Sequence, residues 1–250
     1  MIAKAVKAEL KAILPLRALF LQEINRQIRY NACHERGWTD SYLLTADGRP
    51  IGYGSINGQE ISARDTLFEY YVVPPFRALS RSLFRELLAA SGAEYIECQS
   101  NDSLLTAMLY EFTDGVRATT VLFEDHAVSS LAIPGAVVRP EREDDRPFHH
   151  SVEPLGDYVL EIQQEIVATG GFLLHYNPPF ADLYMEVKPD CRRRGYGSFL
   201  IQEVKKECYL AGRVPAARCG IENKASQATL IKAGMKVAGQ MLLGRVKSAS

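Results

Sequence analysis

The stretch VKPDCRRRGYGSFLIQEVKKE, residues 187–207, places three arginines and two glycines between a proline and a helical pattern. The apolar run ADLYMEV leads into it and stops before Pro189, which predicts a strand. After the glycines, Leu200, Ile201 and Val204 recur at helical spacing. A turn from a strand into a helix exposes the first N–H groups of the helix, which have no intrahelical acceptor. The turn is therefore either a charged surface turn or a backbone site for an anion.

The residue types of this turn suit a phosphate or pyrophosphate. Gly195 and Gly197 let the main chain approach an anion closely. Arg192, Arg193 and Arg194 add positive charge and planar donors. Other phosphate loops fit poorly, because GxxxxGK[ST] is absent and a GxG without a third glycine is not a dinucleotide fingerprint.

The composition is that of a globular protein without a basic excess. The chain has 250 residues, enough for two domains of moderate size, and 47% of them are hydrophobic. Its 29 basic and 30 acidic side chains give a formal net charge of −1, whereas a dedicated nucleic-acid binder usually carries a basic excess. The arginine cluster also lacks the interleaved aromatic residues that stack on RNA, so we expect no nucleic-acid partner.

The sequence shows no pattern typical of membrane, disulfide-rich or metal-binding proteins. Its opening, MIAKAVKAEL, is charged and helix-friendly, and no run approaches the roughly 18 apolar residues of a membrane span. Five cysteines without a CxxC pair fit reduced thiols, and the five histidines show no HExxH spacing. These features predict a cytoplasmic protein with no membrane partner and no metal.

The two halves of the chain repeat one order of elements: strand pair, strand and proline, turn, helix, strand, helix. A shift of 115 residues places Pro74 on Pro189, Arg77 on Arg192 and Phe84 on Phe199. This favours a divergent internal duplication, although any α/β chain can show such a rhythm. The pattern resets near Pro134 and the charged run 141–146, which predicts domains at 1–133 and 134–250.

Two segments of the second half resemble the GNAT superfamily of N-acetyltransferases. The spacing V-x-P-x-x-R-x-x-G-x-G is similar to the acyl-CoA signature of that superfamily, with its core at Arg192, Gly195 and Gly197. Downstream, N-x-A-S at 223–226 and K-x-G-M at 232–235 resemble its second CoA-side segment. The close match covers about residues 157–247. It implies an α/β fold of tandem GNAT-like domains, each a mixed, mostly antiparallel twisted sheet flanked by helices and splayed at the acyl-CoA cleft.

The resemblance implies acetyl-CoA as cosubstrate. Its pyrophosphate would lie on the 192–198 turn and its pantetheine arm between two splayed strands, with a backbone N–H near Val187 polarising the thioester carbonyl. The residues that the resemblance assigns to the cosubstrate are Met185, Val187, Arg192, Arg193, Arg194, Gly195, Tyr196, Gly197, Ser198, Asn223, Ser226 and Lys232.

Candidate catalytic residues lie on the strand before the turn. Asp182, Tyr184 and Glu186 alternate along it and share one face, and Glu186 is nearest the expected thioester. Glu186 could take the proton of an attacking amine, or it could be paired for structure. The superfamily often places a tyrosine seven residues after the asparagine to protonate the leaving thiolate. Here that position is Leu230, so another group or water must do so, or the protein binds acyl-CoA without efficient turnover.

The first half lacks the glycines of the turn, since Ser80 and Ser82 stand in their places. We therefore expect a non-catalytic sister domain, whose helices cover a second half that has little room for helices within residues 146–156. The expected activity is that of an acyltransferase moving acetyl by direct attack to a primary amine of a small molecule or peptide. A non-catalytic acyl-CoA sensor or scaffold is the alternative, and a homodimer is possible in either case.

Overall fold

The computed structural model describes residues 2–27, 31–58 and 60–247, and the chain forms two compact units. The first unit comprises Met1–Thr119 with Gly239–Ser250, and the second comprises Thr120–Ala238. The domain boundary expected between residues 133 and 134 stays a prediction. No helix among the described residues is long and apolar enough to cross a membrane.

The first unit is a sheet with helices. Its strands are β1 (Ala3–Ala8), β2 (Asp40–Ala46), β3 (Arg49–Asn57), β4 (Thr66–Val72), β5 (Tyr95–Gln99), residues 113–119 of β6 (Thr113–Asp125) and residues 241–245 of the last strand, β12 (Met235–Val246). From β1 to β5 and on to β12, neighbouring strands are antiparallel except for β4 and β5, which run parallel. Its helices are α1 (Leu10–Glu23), α2 (Asn31–Glu35), α3 (Ser80–Ser91) and α4 (Ser103–Phe112).

Local sequence signals account for several of these elements. The turn between β2 and β3 has φ of 48° at Asp47 and 79° at Gly48, as an Asp-Gly hairpin turn requires. Gly92 ends α3 with φ of 67°, its N–H bonded to the carbonyl of Leu88. Strand β1 corrects the helix-friendly interpretation of the chain's opening. It pairs with β2 over six residues, and this pairing overrides local propensity.

The second unit carries the GNAT-like motifs and has the same kind of sheet. Its strands are residues 120–125 of β6, β7 (Ala136–Pro140), β8 (Tyr158–Ile162), β9 (Glu165–Leu173), β10 (Phe180–Val187) and β11 (Val214–Gly220). They lie in the order β6, β11, β10, β9, β8, β7, and among these neighbours only β10 and β11 are parallel. Its helices are α5 (Tyr196–Leu210) and α6 (Lys224–Lys232), and the α5 residues Leu200, Ile201 and Val204 are fully buried against the sheet.

Both units are splayed where their two central parallel strands meet. Strand β10 pairs with β11 only at Phe180–Asp182, and β4 pairs with β5 only at residues 66–67. Beyond Asp182, β10 stays paired with β9 while β11 stays paired with β6, so the two strands separate. The expected fold, two mostly antiparallel sheets splayed at a cleft, is confirmed.

Equivalent contacts recur in the two units. The Nε of Arg77 donates to the carbonyl of Val72 at 3.4 Å, and the Nε of Arg192 donates to the carbonyl of Val187 at 3.2 Å. The side chains that cap α4 and α6, Asp102 and Asn223, each accept from the N–H three residues later. Contacts that match between aligned residues of the two units favour an internal duplication over the generic alternation of strands and helices in an α/β chain.

A buried charge network lies in the first unit at the place where the 115-residue shift puts Tyr184 of the second. Glu69 on β4 is fully buried and accepts from both Nε and Nη2 of Arg17 on α1, each at 3.1 Å. The hydroxyl of Tyr53 also donates to Glu69 at 3.0 Å, and Nε2 of His34 lies 3.0 Å from it. These contacts tie α1, α2 and β3 to the middle of β4.

Candidate functional site

The turn between β10 and α5 has the backbone of an anion site. Pro189–Cys191 forms a short 3-10 turn, and Gly195 then precedes α5 with φ of 85°, in the left-handed region that favours glycine. No described side chain caps this helix. The N–H groups of its first turn are therefore left for another acceptor.

A second glycine of the turn is needed for close packing. A Cβ at Gly197 would lie 3.2 Å from both the Sδ of Met185 and the Cγ2 of Thr229. The hydroxyl of Ser198 donates to the carbonyl of Thr229 at 3.1 Å, which ties α5 to α6. Gly197 thus lets α5 approach β10 and α6, and so brings the two GNAT-like segments together.

These two segments line one cavity of about 840 Å³, within the size range of small-molecule and cofactor sites. Eleven of the twelve residues assigned to the cosubstrate lie in its wall. The exception is Arg194, whose Nη2 donates to the carbonyl of Asp190 at 3.3 Å. The wall also includes Val152 and Glu153 from a loop that the motif does not contain.

The cavity is basic at the turn. Arg192, Arg193 and Lys232 line it, and within the described part of the chain none of the three forms an ion pair. The Nε of Arg192 donates to the Val187 carbonyl, which ties the guanidinium to the end of β10. Cations without carboxylate partners next to an uncapped helix N-terminus favour a bound anion.

The edge of β10 presents backbone donors to the same space. The N–H of Lys188 donates to the carbonyl of Val167 on β9, and bonding alternates along an antiparallel ladder. By that alternation the N–H of Glu186 faces β9, whereas those of Met185 and Val187 point to the splayed side. A donor near Val187 was expected for the thioester carbonyl, and this register is compatible with it.

The carboxylate of Glu186 is held by a loop. The residue is 6% exposed, and its carboxylate accepts from the N–H groups of Ser151, Val152 and Glu153 at 3.1–3.3 Å and from the Ser151 hydroxyl at 3.0 Å. Burial would raise the pKa of Glu186, but these donors lower it to about 2. A carboxylate of that pKa is a weak base, so the contacts favour a positioning role over the expected proton transfer.

The other two candidates on β10 are also engaged. Asp182 lies 3.0 Å from Nε2 of His175 and 3.7 Å from Nε of Arg218. The hydroxyl of Tyr184 donates to the Leu155 carbonyl at 3.4 Å, and burial together with nearby carboxylates raises the pKa of Tyr184 to about 12. Neither side chain lines the cavity. Their catalytic roles stay predictions.

Glu153 is an acidic residue of the cavity wall that sequence reasoning missed. It is half-buried, and burial followed by the charges of Asp182 and Glu186 raises its pKa, while Arg218 opposes the shift. Its place in the wall depends on the fold of a loop without a motif, so no local pattern could have identified it. Leu230, at the position of the superfamily's tyrosine, is buried in the core.

The corresponding turn of the first unit differs from this one in backbone, packing and charge pairing. Ser80, at the place of Gly195, has φ of −53°, and its carbonyl accepts from the Tyr70 hydroxyl at 2.6 Å. Tyr70 takes the place of Met185 and packs edge-on against Phe84, with ring centres 4.8 Å apart. Arg77, the counterpart of Arg192, forms an ion pair with Glu23.

Comparison with known proteins agrees with this geometry. The model of the acetyltransferase (GNAT) family matches residues 125–235. In fold, the chain is similar to an acetyltransferase of the GNAT family from Colwellia psychrerythraea, with a TM-score of 0.73 at 12% identity over 99% of this chain and 100% of that chain. No curated protein sequence matches the chain with significance.

Two further solved structures share the fold over nearly the whole chain. A GCN5-related N-acetyltransferase from Sphaerobacter thermophilus has a TM-score of 0.57 at 16% identity, covering 98% of this chain and 94% of that chain. A tandem GNAT protein from the clavulanic acid biosynthesis pathway has a TM-score of 0.56 at 13% identity, covering all of both chains. Identities this low support a shared fold only. The match to the family model supports family membership of the matched segment. Residues 125–235 of this chain form a domain of the acetyltransferase (GNAT) family.

Proposed function

We propose that the second unit transfers an acetyl group from acetyl-CoA to a primary amine. The family supports acyl transfer in general. The observation that carries the finer proposal is the shared cavity. The uncapped N-terminus of α5, two arginines and Lys232 lie in it together with the edge of β10. A pyrophosphate on the turn would place the pantetheine arm along β10, within reach of the donors at Met185 and Val187.

The acidic residues of the cavity suit an amine. Glu153 and Glu186 belong to the cavity wall together with the basic residues of the turn. A protonated amine would be attracted to the negative charge of Glu153, and the anionic part of CoA would be attracted to the basic turn. Direct attack of the amine on the thioester needs no covalent enzyme intermediate.

The CoA site is tested by Gly195→Val. A side chain there forces a left-handed residue out of its region and displaces the N–H groups that would bind phosphate. Losing one hydrogen bond to a charged group costs about 1.5–3 kcal/mol, so the Kd for CoA should rise roughly tenfold to more than a hundredfold. Gly212→Val is the matched control, since Gly212 has φ of 71° at the other end of α5 and does not line the cavity.

Calorimetric titration of both variants with CoA gives the result directly. Gly212→Val should bind CoA as the wild type does, although it carries similar backbone strain. An unchanged Kd in Gly195→Val would mean that the turn is a plain surface turn.

Acyl-CoA binding without turnover is the second candidate function, and Leu230 favours it because no hydroxyl stands there to protonate the thiolate. Thiol release from acetyl-CoA separates the two. It should be measured with spermidine, lysine, an aminoglycoside and a peptide with a free N-terminus. Release that depends on an amine supports the enzyme, and CoA binding without any release supports the sensor.

A further inference from the structure

A carboxylate without a close partner lines the cavity next to the expected reaction centre. Glu153 lies in the wall together with Met185 and Val187, the β10 residues whose N–H groups face the splay. Within the described residues its carboxylate forms neither a hydrogen bond nor an ion pair. Unlike Glu186, this carboxylate has its oxygens available to a ligand.

The loop that carries Glu153 is held at its backbone by Glu186. The N–H groups of Ser151, Val152 and Glu153 all point at the Glu186 carboxylate, which sits on β10. His150, just before them, has its Nε2 2.6 Å from the hydroxyl of Thr169 on β9. A loop anchored at four consecutive residues presents the Glu153 side chain from a fixed point of the cavity wall.

The surroundings of Glu153 favour proton uptake. Burial raises the pKa of Glu153, the negative charges of Asp182 and Glu186 on β10 raise it further, and the positive charge of Arg218 on β11 lowers it. Tyr184 on the same strand stays protonated, because burial and neighbouring carboxylates raise its pKa to about 12. The pKa of Glu153 is raised, whereas that of Glu186 is lowered to about 2. Two carboxyl groups so close with pKa values moved in opposite directions suggest two different roles.

We propose that Glu153 is the proton acceptor of the acetyl transfer and that Glu186 positions it. This inference rests on the proposed function. The acceptor's ammonium transfers a proton to a carboxylate oxygen of Glu153, and the freed lone pair forms the C–N bond to the thioester carbon. The C–S bond breaks with its electron pair on sulfur. The second proton lost by nitrogen reaches the thiolate through water, and Glu153 returns its proton to solvent.

The test compares Glu153→Gln with wild type on two kinds of nucleophile. An alkylamine is protonated at about pH 8 and needs a base, whereas hydroxylamine is already neutral there. With an alkylamine, kcat/KM should fall by about 10²–10⁴. With hydroxylamine it should change only a few-fold, and the Kd for CoA should stay as in wild type. Glu143→Gln is the matched control, since Glu143 is exposed in the preceding segment and lies outside the cavity.

The pH profile is a second readout. In wild type kcat/KM with an alkylamine should fall on the acid side as Glu153 becomes protonated, and Glu153→Gln should lose that limb. Equal losses with both nucleophiles, or no loss with either, would overturn the role of Glu153 while leaving the proposed function standing. A wild-type chain that binds no CoA, or releases no thiol with any amine, would overturn the proposed function and the inference with it.

Discussion

Glu186→Gln distinguishes a positioning carboxylate from a catalytic base through stability. The carboxylate accepts from four donors and is nearly inaccessible to solvent, and its pKa is lowered to about 2. An unfolded glutamate has a pKa of about 4.3, and each unit of difference corresponds to about 1.4 kcal/mol. The ionised form therefore contributes about 3 kcal/mol to the free energy of unfolding near neutral pH.

Glutamine keeps the shape but not the acceptors. Its single amide oxygen cannot serve all the N–H groups of residues 151–153, and its NH2 group faces one of them. We expect Glu186→Gln to lower the free energy of unfolding by about 2–3 kcal/mol near neutral pH. Glu165→Gln is the control, because Glu165 makes an exposed ion pair with Lys188 that should contribute about 0–1 kcal/mol.

The effect of Glu186 should also depend on pH, with a known sign. Its pKa in the folded state lies below that in the unfolded state, so its contribution is complete above about pH 4.3 and is lost as the pH falls towards about 2. Urea unfolding of wild type and variant at several pH values measures the difference. The reasoning fails if Glu186→Gln is as stable as Glu165→Gln, or if its deficit is the same at about pH 3 as at about pH 7.

Three more outcomes are expected. Titration with CoA should give one site per chain, because Ser80 lacks the left-handed backbone of Gly195; a ratio of two would show a working site in the first unit. Asn223→Ala and Asp102→Ala should each lower the free energy of unfolding by about 0.5–2 kcal/mol as lost helix caps. Only Asn223→Ala should weaken CoA binding, since only Asn223 lines the cavity; equal affinities would count against that placement. Glu69→Gln should cost about 3–5 kcal/mol in chemical denaturation, because it removes the charge paired with a buried arginine, and calorimetry should show CoA affinity unchanged.

The turn between β10 and α5 was predictable from sequence because its physics is local. A strand stopped by Pro189, a glycine with φ of 85° at position 195 and a helix beginning one residue later all depend on a few adjacent residues. The same holds for the Asp-Gly hairpin turn between β2 and β3. Backbone preferences and i to i+3 contacts are properties of residue type and spacing, so residue order alone was enough to predict the turn and the elements on either side of it.

The roles of the acidic residues were decided only by the tertiary structure. Alternation along β10 made Glu186 a candidate, but it could not show that the partners of Glu186 are the N–H groups of residues 151–153, more than 30 positions away in the chain. Glu153 reaches the cavity through the same contacts, and Glu69 meets Arg17 across 52 positions. Whether a carboxylate acts as a base, positions a loop or belongs to a buried ion pair depends on which donors and charges surround it. Those neighbours come from distant segments, and only the packed fold brings them within hydrogen-bond distance.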